Sequence, residues 1–262
     1  MKLIACDLDG TILDDRKQPD PYLKDVLKQL RERGIGFTIV SGRNEEIMDH
    51  YVDHFDCTLP YVTNNGGNIY QKHVCLLNDC SPVSYNNAYL KALYDHGVAF
   101  RAYAIEGFYA YSSTEFFETR MASVAHMMIP FDPSEDQSKY SFYKITSDFS
   151  GHEDYLPEFQ KLVERDFPEL TFLKAENYVY CANSRTATKG QALERICGMI
   201  GVDLKDVMAF GDNGNDLSML EAAGVSVAVS NASKDIQEAC DYVCGDNNHA
   251  GVSVFLKEYF RL

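Results

Sequence analysis

The feature that most constrains the fold is an apolar run at the start of the chain that ends directly in acidic residues. Residues 2–6, Lys-Leu-Ile-Ala-Cys, are followed by Asp7-Leu8-Asp9-Gly10-Thr11. A short apolar run with β-branched content, bounded by glycine, is typical of a strand that is buried on both faces. Open parallel sheets bind ligands beyond the carboxyl ends of such strands. Asp7 and Asp9 are therefore predicted to lie at a ligand-binding edge.

Two carboxylates at this position need a compensating charge. With a spacing of two in extended chain, Asp7 and Asp9 point to the same side. Like charges that close together favour a bound cation or a shared proton, and Mg²⁺ would supply the cation. The alternative is an Asp-rich turn after a strand, because Asp and Gly are common turn residues.

Composition describes a globular chain and narrows the class of partner. The 262 residues are 45% hydrophobic and 24% charged, which is enough for one large domain or two smaller ones. A net charge of −15 argues against a nucleic acid or an anionic membrane, since both require a basic face. No stretch approaches the ~20 apolar residues of a membrane span, and Met1-Lys2 leads into the first strand without room for a signal peptide. No protein partner is implied.

The cysteines and two histidines offer weak alternatives for a metal site. Eight cysteines are scattered without a CxxC pair, and they are predicted to be reduced, buried thiols of a cytoplasmic protein. Cys240 and Cys244 are four residues apart and would share a face if that segment were helical. His50 and His54 have the same spacing, but without a third ligand a solvated helix face is the favoured interpretation.

The first eighty residues alternate between strand and helix patterns, as expected for a parallel α/β sheet. A helix over Pro21–Arg33 precedes a strand over Ile35–Val40, which ends in Ser41-Gly42-Arg43. A serine hydroxyl and backbone N–H groups at the junction with a further helix, Glu45–Phe55, form a natural anion site.

A third strand also ends in small polar residues. Tyr61–Thr63 precedes Asn64-Asn65-Gly66-Gly67, and a hairpin is predicted over Ile69–Leu77. Asn-Gly is a common tight-turn pair, so the turn alone would explain it. Three successive strands nevertheless end in residues that could face one site.

The sequence becomes rich in aromatic residues between about Pro82 and Ala187. This segment contains 11 of the 17 tyrosines and 10 of the 15 phenylalanines. We interpret this segment as a second, α+β domain with most strands in one sheet and its helices on one face. The predicted helices are Ser84–His96, Glu115–Ala125 and Leu156–Phe167. The predicted strands are Val98–Ala104, Phe108–Ser112, Ser141–Thr146, Leu170–Lys174 and Tyr178–Ala182.

The α/β pattern resumes at Lys189-Gly190, which opens an amphipathic helix. A lysine at a helix start is electrostatically unfavourable, because the positive end of the helix dipole lies there, so an anionic partner would explain it. A strand over Val207–Phe210 then leads into Gly211-Asp212-Asn213-Gly214-Asn215-Asp216 and a helix. A turn followed by a helix cap would also explain Asp212 and Asp216. However, two predicted strands of the chain are now each followed by a pair of aspartates. The remaining predicted elements are a strand over Val225–Val229 and helices over Lys234–Cys240 and Gly251–Phe260.

Four segments, in this order, resemble the four motifs of haloacid dehalogenase-type phosphatases. They are Asp7-Leu8-Asp9-Gly10-Thr11, Ser41-Gly42-Arg43, Lys189-Gly190 and Gly211-Asp212-Asn213-Gly214-Asn215-Asp216. The long insert after the second motif, preceded by Asn65-Gly66, is similar to the Cof-type branch with a type IIB cap. The resemblance implies a Rossmann-like parallel-sheet core of residues 1–81 and 188–262, with an inserted α+β cap domain of residues 82–187 that reads the substrate.

The resemblance also implies catalytic roles. Asp7 would be the nucleophile that forms an aspartyl phosphate. Asp9 would be the general acid and then the general base, which requires a pKa raised by the crowding of other carboxylates. Lys189 and Ser41 would hold phosphoryl oxygens.

The implied ligand sets cover a metal and a phosphate. Mg²⁺ would be held by a carboxylate oxygen of Asp7, the backbone carbonyl of Asp9 and the carboxylate of Asp212, with Asp216 either a ligand or a support for this shell. The residues implied in phosphate binding are Ser41, Gly42, Arg43, Asn65, Lys189 and Asn215.

The expected activity is magnesium-dependent hydrolysis of small phosphate monoesters, such as sugar phosphates or phosphorylated cofactors. A phosphomutase of the same superfamily shares the aspartyl-phosphate step and is the nearest alternative. A non-catalytic protein that binds a phosphorylated ligand is a third, although such proteins typically lose one of the charged groups that are all present here.

Overall fold

The computed structural model describes residues 1–104, 107–111 and 128–262, which form two compact units. The first unit comprises Met1–Asn78 and Ala187–Leu262, and the second comprises Asp79–Thr186. Each unit has its own cluster of buried apolar side chains. That the second unit is a substrate-reading cap stays a prediction.

Strands and helices alternate in the first unit, except for three consecutive strands within residues 61–78. In chain order the strands are β1 (Leu3–Cys6), β2 (Gly36–Ile39), β3 (Tyr61–Thr63), β4 (Asn68–Gln71), β5 (Val74–Asn78), β6 (Ala99–Ala104), β7 (Gly107–Tyr111), β8 (Met128–Pro130), β9 (Lys144–Asp148), β10 (Leu170–Glu176), β11 (Val179–Ser184), β12 (Val207–Gly211), β13 (Val225–Val229) and β14 (Tyr242–Cys244). The helices are α1 (Leu23–Glu32), α2 (Glu45–His54), α3 (Val83–Asp95), α4 (Leu156–Asp166), α5 (Lys189–Ile200), α6 (Leu217–Ala222), α7 (Lys234–Ala239) and α8 (Gly251–Phe260).

The central sheet of the first unit is parallel, with strand order β14-β13-β12-β1-β2. All four residues of β1 are fully buried, as expected for a strand covered on both faces. Apolar faces of α1, α2, α5, α6 and α8 contribute to the same cluster. The α/β fold class predicted from the sequence is therefore confirmed, and the carboxyl ends of β1 and β12 lie side by side.

A smaller antiparallel sheet, β3-β4-β5, follows the second helix. The tight connection between β4 and β5 uses Lys72 and His73, which both have positive φ and so form the kind of turn that suits a two-residue hairpin. A single parallel bridge between Val40 and Val62 places the end of β3 beside the end of β2. The loops after these two strands are thereby brought together.

The second unit is a mixed sheet with strand order β10-β11-β9-β6-β7-β8. Phe100, Ala102 and Ile145 point from the sheet into an aromatic core, where they meet Tyr89 of α3 and Phe159 of α4. The two described helices thus cover the same face of this sheet. The prediction of an α+β segment with its helices on one face is confirmed for the described residues.

Several details differ from the sequence-based expectations. Cys240 follows the end of α7 and Cys244 lies in β14, so the two do not share a helix face; β14 was not predicted. The strand expected over 141–146 is Lys144–Asp148, because its pairing with β6 and β11 sets its bounds. The helix expected over 115–125 lies outside the described residues.

All eight cysteines are free thiols. None of the described helices has both the length and the apolar character that a bilayer span requires.

Candidate active site

Two neighbouring parallel strands bring together the acidic residues at the centre of the site. Cys6 of β1 lies opposite Phe210 of β12, and the N–H of Asp7 donates to the carbonyl of Phe210 at 3.0 Å. Asp212 is the residue after β12. Carboxylate oxygens of Asp7, Asp212 and Asp216 lie within 4.8 Å of one another. The site therefore concentrates three carboxylates at one edge of the sheet.

Lys189 at the start of α5 is buried between two of these carboxylates. Its Nζ lies 2.7 Å from Asp7 Oδ1 and 2.5 Å from Asp216 Oδ1. Burial lowers the pKa of Lys189, but the attraction of the two carboxylates outweighs burial and the pKa is raised. Thr188 caps the helix by accepting the N–H of Gln191. The lysine at a helix start thus has anionic partners within the protein itself.

Asp216 uses both carboxylate oxygens in hydrogen bonds. Oδ1 accepts from Lys189, and Oδ2 accepts the backbone N–H groups of Asp212 and Asn213 at 3.0 Å each. The side chain is fully buried. A Cβ on Gly211 would lie 2.5 Å from the Cβ of Asp216, so only glycine allows this approach. These contacts fit a residue that orients Lys189 and the loop carrying Asp212.

The remaining two carboxylates have the properties of a cation site. Burial raises the pKa of Asp7 to about 7, opposed by Lys189 and reinforced by Asp216 and Asp212. Burial, with Asp216 as the next cause, raises the pKa of Asp212 to about 6. Crowded carboxylates of this kind are relieved by a divalent cation, and oxygen ligands are the ones Mg²⁺ prefers. Asp7 and Asp212 therefore fit the predicted metal.

Two residues that follow Asp9 in the chain lie close to the carboxylate of Asp212. Thr11 Oγ1 donates to Asp212 Oδ1 at 3.1 Å. Gly10 has φ +78°, and a Cβ there would lie 2.5 Å from Asp212 Oδ2. The glycine of this motif is thus required both by backbone conformation and by the close approach of a carboxylate.

Asp9 is held differently from the sequence-based expectation. Arg43 binds its carboxylate through two hydrogen bonds, Nε to Oδ2 at 2.6 Å and an Nη to Oδ1 at 2.7 Å, and Lys17 Nζ lies 2.7 Å from Oδ1. Burial raises the pKa of Asp9, but these hydrogen bonds outweigh it and hold the pKa below its ordinary value. The expectation that neighbouring carboxylates raise this pKa is wrong, because two cations face Asp9.

Lys17 and Tyr51 complete this arrangement and were not singled out from the sequence. The Arg43 guanidinium lies 4.9 Å from the centre of the Tyr51 ring, and the Tyr51 hydroxyl donates to the carbonyl of Lys17 at 3.2 Å. Asp14 accepts two backbone N–H groups and so folds the turn that carries Lys17. The sequence pattern reveals the turn that carries Lys17, but it does not reveal that Lys17 pairs with Asp9.

The loops after β2 and β3 bring together the residues that were predicted to bind phosphate, and their anion binding stays a prediction. Ser41 is buried, and its Oγ accepts the N–H of Arg43 at 3.2 Å. The N–H of Asn65 donates to the Ser41 carbonyl at 3.0 Å, and Asn215 Nδ2 donates to Asn65 Oδ1 at 2.9 Å. A Cβ on Gly42 would lie 2.8 Å from that same oxygen. The structure therefore brings Asn215 to these loops, next to the carboxylates that follow β12.

A second group of possible metal ligands lies on α2 and the hairpin turn. His73 Nδ1 is 2.8 Å from Asp49 Oδ1 and 3.4 Å from Glu45 Oε1. Burial raises the pKa of Glu45 to about 7, although its hydrogen bond from Tyr61 opposes the rise. His50 and His54, the pair considered from the sequence, belong to neither group among the described residues.

The sequence is similar to known proteins over nearly its whole length. Residues 4–256 match the profile of the family described as haloacid dehalogenase-like hydrolase. Phosphatase YwpJ of Bacillus subtilis is 26% identical, with 98% of this chain and 99% of the relative aligned. The pyridoxal phosphate phosphatase YbhA of Escherichia coli is also 26% identical, over 97% of each chain.

The fold is likewise similar to solved structures. The crystal structure of TM0651 from Thermotoga maritima superimposes with a TM-score of 0.84 and 25% identity, covering 98% of this chain and 97% of the other.

Proposed function

Because the chain belongs to the haloacid dehalogenase-like hydrolases, we propose that it is a magnesium-dependent phosphatase that hydrolyses small phosphate monoesters through an aspartyl-phosphate intermediate. The observation that carries the proposal is the buried Lys189 bridge between Asp7 and Asp216 beside the carboxylate of Asp212. The relatives named phosphatases, one of them for a phosphorylated cofactor, support the same reaction class. The predicted enzyme class, a hydrolase of this superfamily, is confirmed.

Asp7 would attack the phosphorus of the ester. Lys189 holds Oδ1, so Oδ2 is the oxygen that would form the new P–O bond while the bond between phosphorus and the ester oxygen breaks. Attack by a carboxylate requires no prior removal of a proton, and division of one displacement into two lowers each barrier. Water then attacks the phosphorus, the bond to Asp7 breaks, and inorganic phosphate leaves.

Asp9 would give a proton to the departing alkoxide and later take one from the attacking water. Its ion pairs with Arg43 and Lys17 must loosen before it can carry a proton. Arg43 is also a candidate phosphate ligand, so an arriving phosphate would compete with Asp9 for this guanidinium. The hydrogen bonds between Arg43 and Asp9 would thus belong to the enzyme before substrate binds.

Charge that develops on the phosphoryl oxygens would be stabilised by groups already in place. Lys189 would supply a fixed positive charge, and Ser41 a hydroxyl. Asn65, Asn215, the backbone N–H of Gly42 and the guanidinium of Arg43 would contribute further hydrogen-bond donors. Donors held rigidly in a site of low dielectric stabilise such charge without reorganisation.

Asp7, the backbone carbonyl of Asp9 and Asp212 would hold Mg²⁺, with Asp216 orienting the loop of Asp212. When bound, the ion would neutralise negative charge and polarise the phosphoryl group. We further propose that residues 82–187 form the substrate-specificity cap and that the protein acts in the cytoplasm on small phosphorylated metabolites, without a nucleic acid, membrane or protein partner.

The test is phosphate release from a panel of phosphate esters with magnesium or with a chelator. We expect release only with magnesium, and a loss of about 10³-fold or more in Asp7→Asn. Asp25→Asn is the matched control, because it makes the same chemical change on an exposed face of α1. Equal rates in wild type and Asp7→Asn would overturn the proposal, and activity only with a bisphosphate activator would favour the phosphomutase.

A further inference from the structure

One face of α2 carries three carboxylates that surround a single histidine. Glu45, Asp49 and Asp53 are spaced four residues apart along the helix and therefore share a face. His73, in the turn between β4 and β5, has its Nδ1 2.8 Å from Asp49 Oδ1 and 3.4 Å from Glu45 Oε1. Its Nε2 lies 3.5 Å from Asp53 Oδ1. All four residues belong to the first unit, and we call them the α2–hairpin cluster.

The negative charge of the α2–hairpin cluster exceeds what one histidine can balance. A protonated His73 carries one positive charge against three carboxylates. Among the described residues, none of these carboxylates forms an ion pair with a lysine or an arginine. The hydrogen bond with Asp49 raises the pKa of His73, as expected for an imidazole in an excess of negative charge. A divalent cation would balance the charge that the histidine leaves.

Glu45 has one carboxylate oxygen that the fold holds in place and one that it leaves unsatisfied. Oε1 accepts the hydroxyl of the buried Tyr61 at 2.5 Å, which fixes the position of the carboxylate. Oε2 is buried and has no hydrogen-bond partner among the described residues. A buried acceptor without a partner is costly. This oxygen is therefore suited to a metal ion.

The distances within the cluster fit a tetrahedral zinc ion. Zn²⁺ binds histidine nitrogen and carboxylate oxygen at about 2.0–2.2 Å, which places neighbouring ligand atoms about 3.3–3.6 Å apart. One possible ligand atom from each of Glu45, Asp49 and His73 lies within 4.8 Å of the other two. Asp53 faces the other ring nitrogen, where a carboxylate commonly orients a metal-bound imidazole. The imidazole in this set favours zinc over magnesium.

We propose that Glu45, Asp49 and His73 bind a zinc ion, with Asp53 as the positioning residue for the His73 ring. The side chains of His73 and Asp49 are 42% and 53% exposed, so the ion can enter from solvent and keep a water as its fourth ligand. The ion joins α2 to the hairpin of β4 and β5. Its ligands are distinct from the carboxylates that follow β1 and β12, and the inference does not depend on the proposed phosphatase function.

The variants that test this site are His73→Asn, Asp49→Asn and His249→Asn. His73 has φ +62°, and asparagine tolerates this conformation, so the first variant removes the imidazole and keeps the turn. His249→Asn is the matched control. His249 Nδ1 is also 2.8 Å from a carboxylate, that of Asp246, but among the described residues this pair has no third possible ligand.

The measurement is calorimetric titration of the full chain with zinc in excess magnesium, which occupies the carboxylates after β1 and β12. We expect one zinc ion per chain in wild type and in His249→Asn. Affinity should fall at least about tenfold in His73→Asn and in Asp49→Asn, because each variant loses a direct ligand. Zinc should also raise the Tm of wild type and of His249→Asn, but not that of His73→Asn.

Three results would overturn the inference. The first is the absence of zinc binding to wild type in excess magnesium. The second is an affinity that is unchanged in either His73→Asn or Asp49→Asn. The third is zinc binding that is lost in Asp212→Asn and kept in His73→Asn, which would place the ion at the other carboxylates. No ester is present in this titration, so failure of the proposed phosphatase activity would leave the result intact.

Discussion

At the scale of single residues, the site depends on a buried lysine that is held by two carboxylates. Isolated buried charges are costly, and removal of one partner of a buried pair typically costs about 3–5 kcal/mol. Lys189 and Asp216 are each almost completely buried, and Asp216 satisfies both of its oxygens within the protein. Lys189 and Asp216 therefore contribute both to the stability of the fold and to the proposed active site.

Asp216 and Asp212 should respond differently to the same substitution. Asp216→Asn replaces one acceptor oxygen by a donor that faces Lys189 or two backbone N–H groups, so we expect the larger fall in Tm. Asp212→Asn leaves those bonds intact and should weaken magnesium binding about tenfold more than Asp216→Asn does. Thermal unfolding and magnesium titration of both variants would check this. A larger magnesium effect for Asp216→Asn would instead make Asp216 a direct ligand.

The raised pKa values of Asp7 and Asp212, about 7 and about 6, set a pH dependence for the metal-free protein. In the unfolded chain both groups have a pKa near 4, so between pH ~4 and ~7 the folded state binds more protons than the unfolded state. Their stabilising contribution is thus complete below pH ~4 and is lost as pH rises toward 7.

Magnesium should reverse this loss because it replaces the protons. We expect magnesium to raise Tm more at pH 8 than at pH 5, and Asp212→Asn to reduce that difference. Thermal unfolding at both pH values, with magnesium or a chelator, measures it. An equal gain at the two pH values would contradict the assignment of these carboxylates to the cation site.

At the scale of elements, the contact between α5 and α6 positions Lys189. The N–H of Gly190 donates to Ser218 Oγ at 3.1 Å, and a Cβ on Gly190 would lie 2.3 Å from the carbonyl oxygen of Ser218. Such an approach is possible only without a side chain. The glycine after Lys189 therefore sets the distance between the two helices.

Gly190→Ala and Gly198→Ala form a matched pair on α5. The first should destabilise the protein by about 1–3 kcal/mol through overpacking and lower kcat by displacing Lys189. Nothing lies within 4 Å of a Cβ on Gly198, so the second should stabilise by up to about 1 kcal/mol through helix propensity. Denaturant unfolding of both variants measures the two changes in the free energy of unfolding. Equal changes would show that the contact between α5 and α6 at Gly190 is not tight.

Elements with strong local patterns were predictable from the sequence. The predicted bounds of β3, β13 and α8 are those observed, because apolar periodicity and flanking turns define them locally. β14 has no strand pattern in the sequence, because two of its three residues are exposed and only its pairing with β13 makes it a strand. The ion pair of Asp9 with Arg43 joins residues 34 apart in the sequence, and no local pattern could reveal it.

At the scale of the whole molecule, the described residues include one cluster of buried apolar side chains in each unit. The core of the second unit is built from aromatic rings, and Phe159 at its centre is fully buried against Tyr89 and Phe149. The core of the first unit surrounds β1 and β12. Each unit therefore has the means to hold its own sheet.

Phe159→Ala should affect one core more than the other. Loss of a buried aromatic ring costs about 3–5 kcal/mol, and we expect hydrogen exchange to accelerate in β6, β9 and β11 while protection of β1 and β12 is retained. Phe210→Ala, in the other core, should give the reverse pattern. Uniform loss of protection across the chain in either variant would show that the two cores unfold as one.

In the proposed mechanism, Asp7 becomes phosphorylated during turnover. The most direct measurement is to quench the magnesium-loaded enzyme with acid during hydrolysis of its best ester, reduce acyl phosphates with borohydride and locate the product by mass spectrometry. We expect reduction of the side chain at position 7, absent when substrate is omitted. Reduction at another carboxylate, or at none while phosphate is released at the full rate, would contradict it.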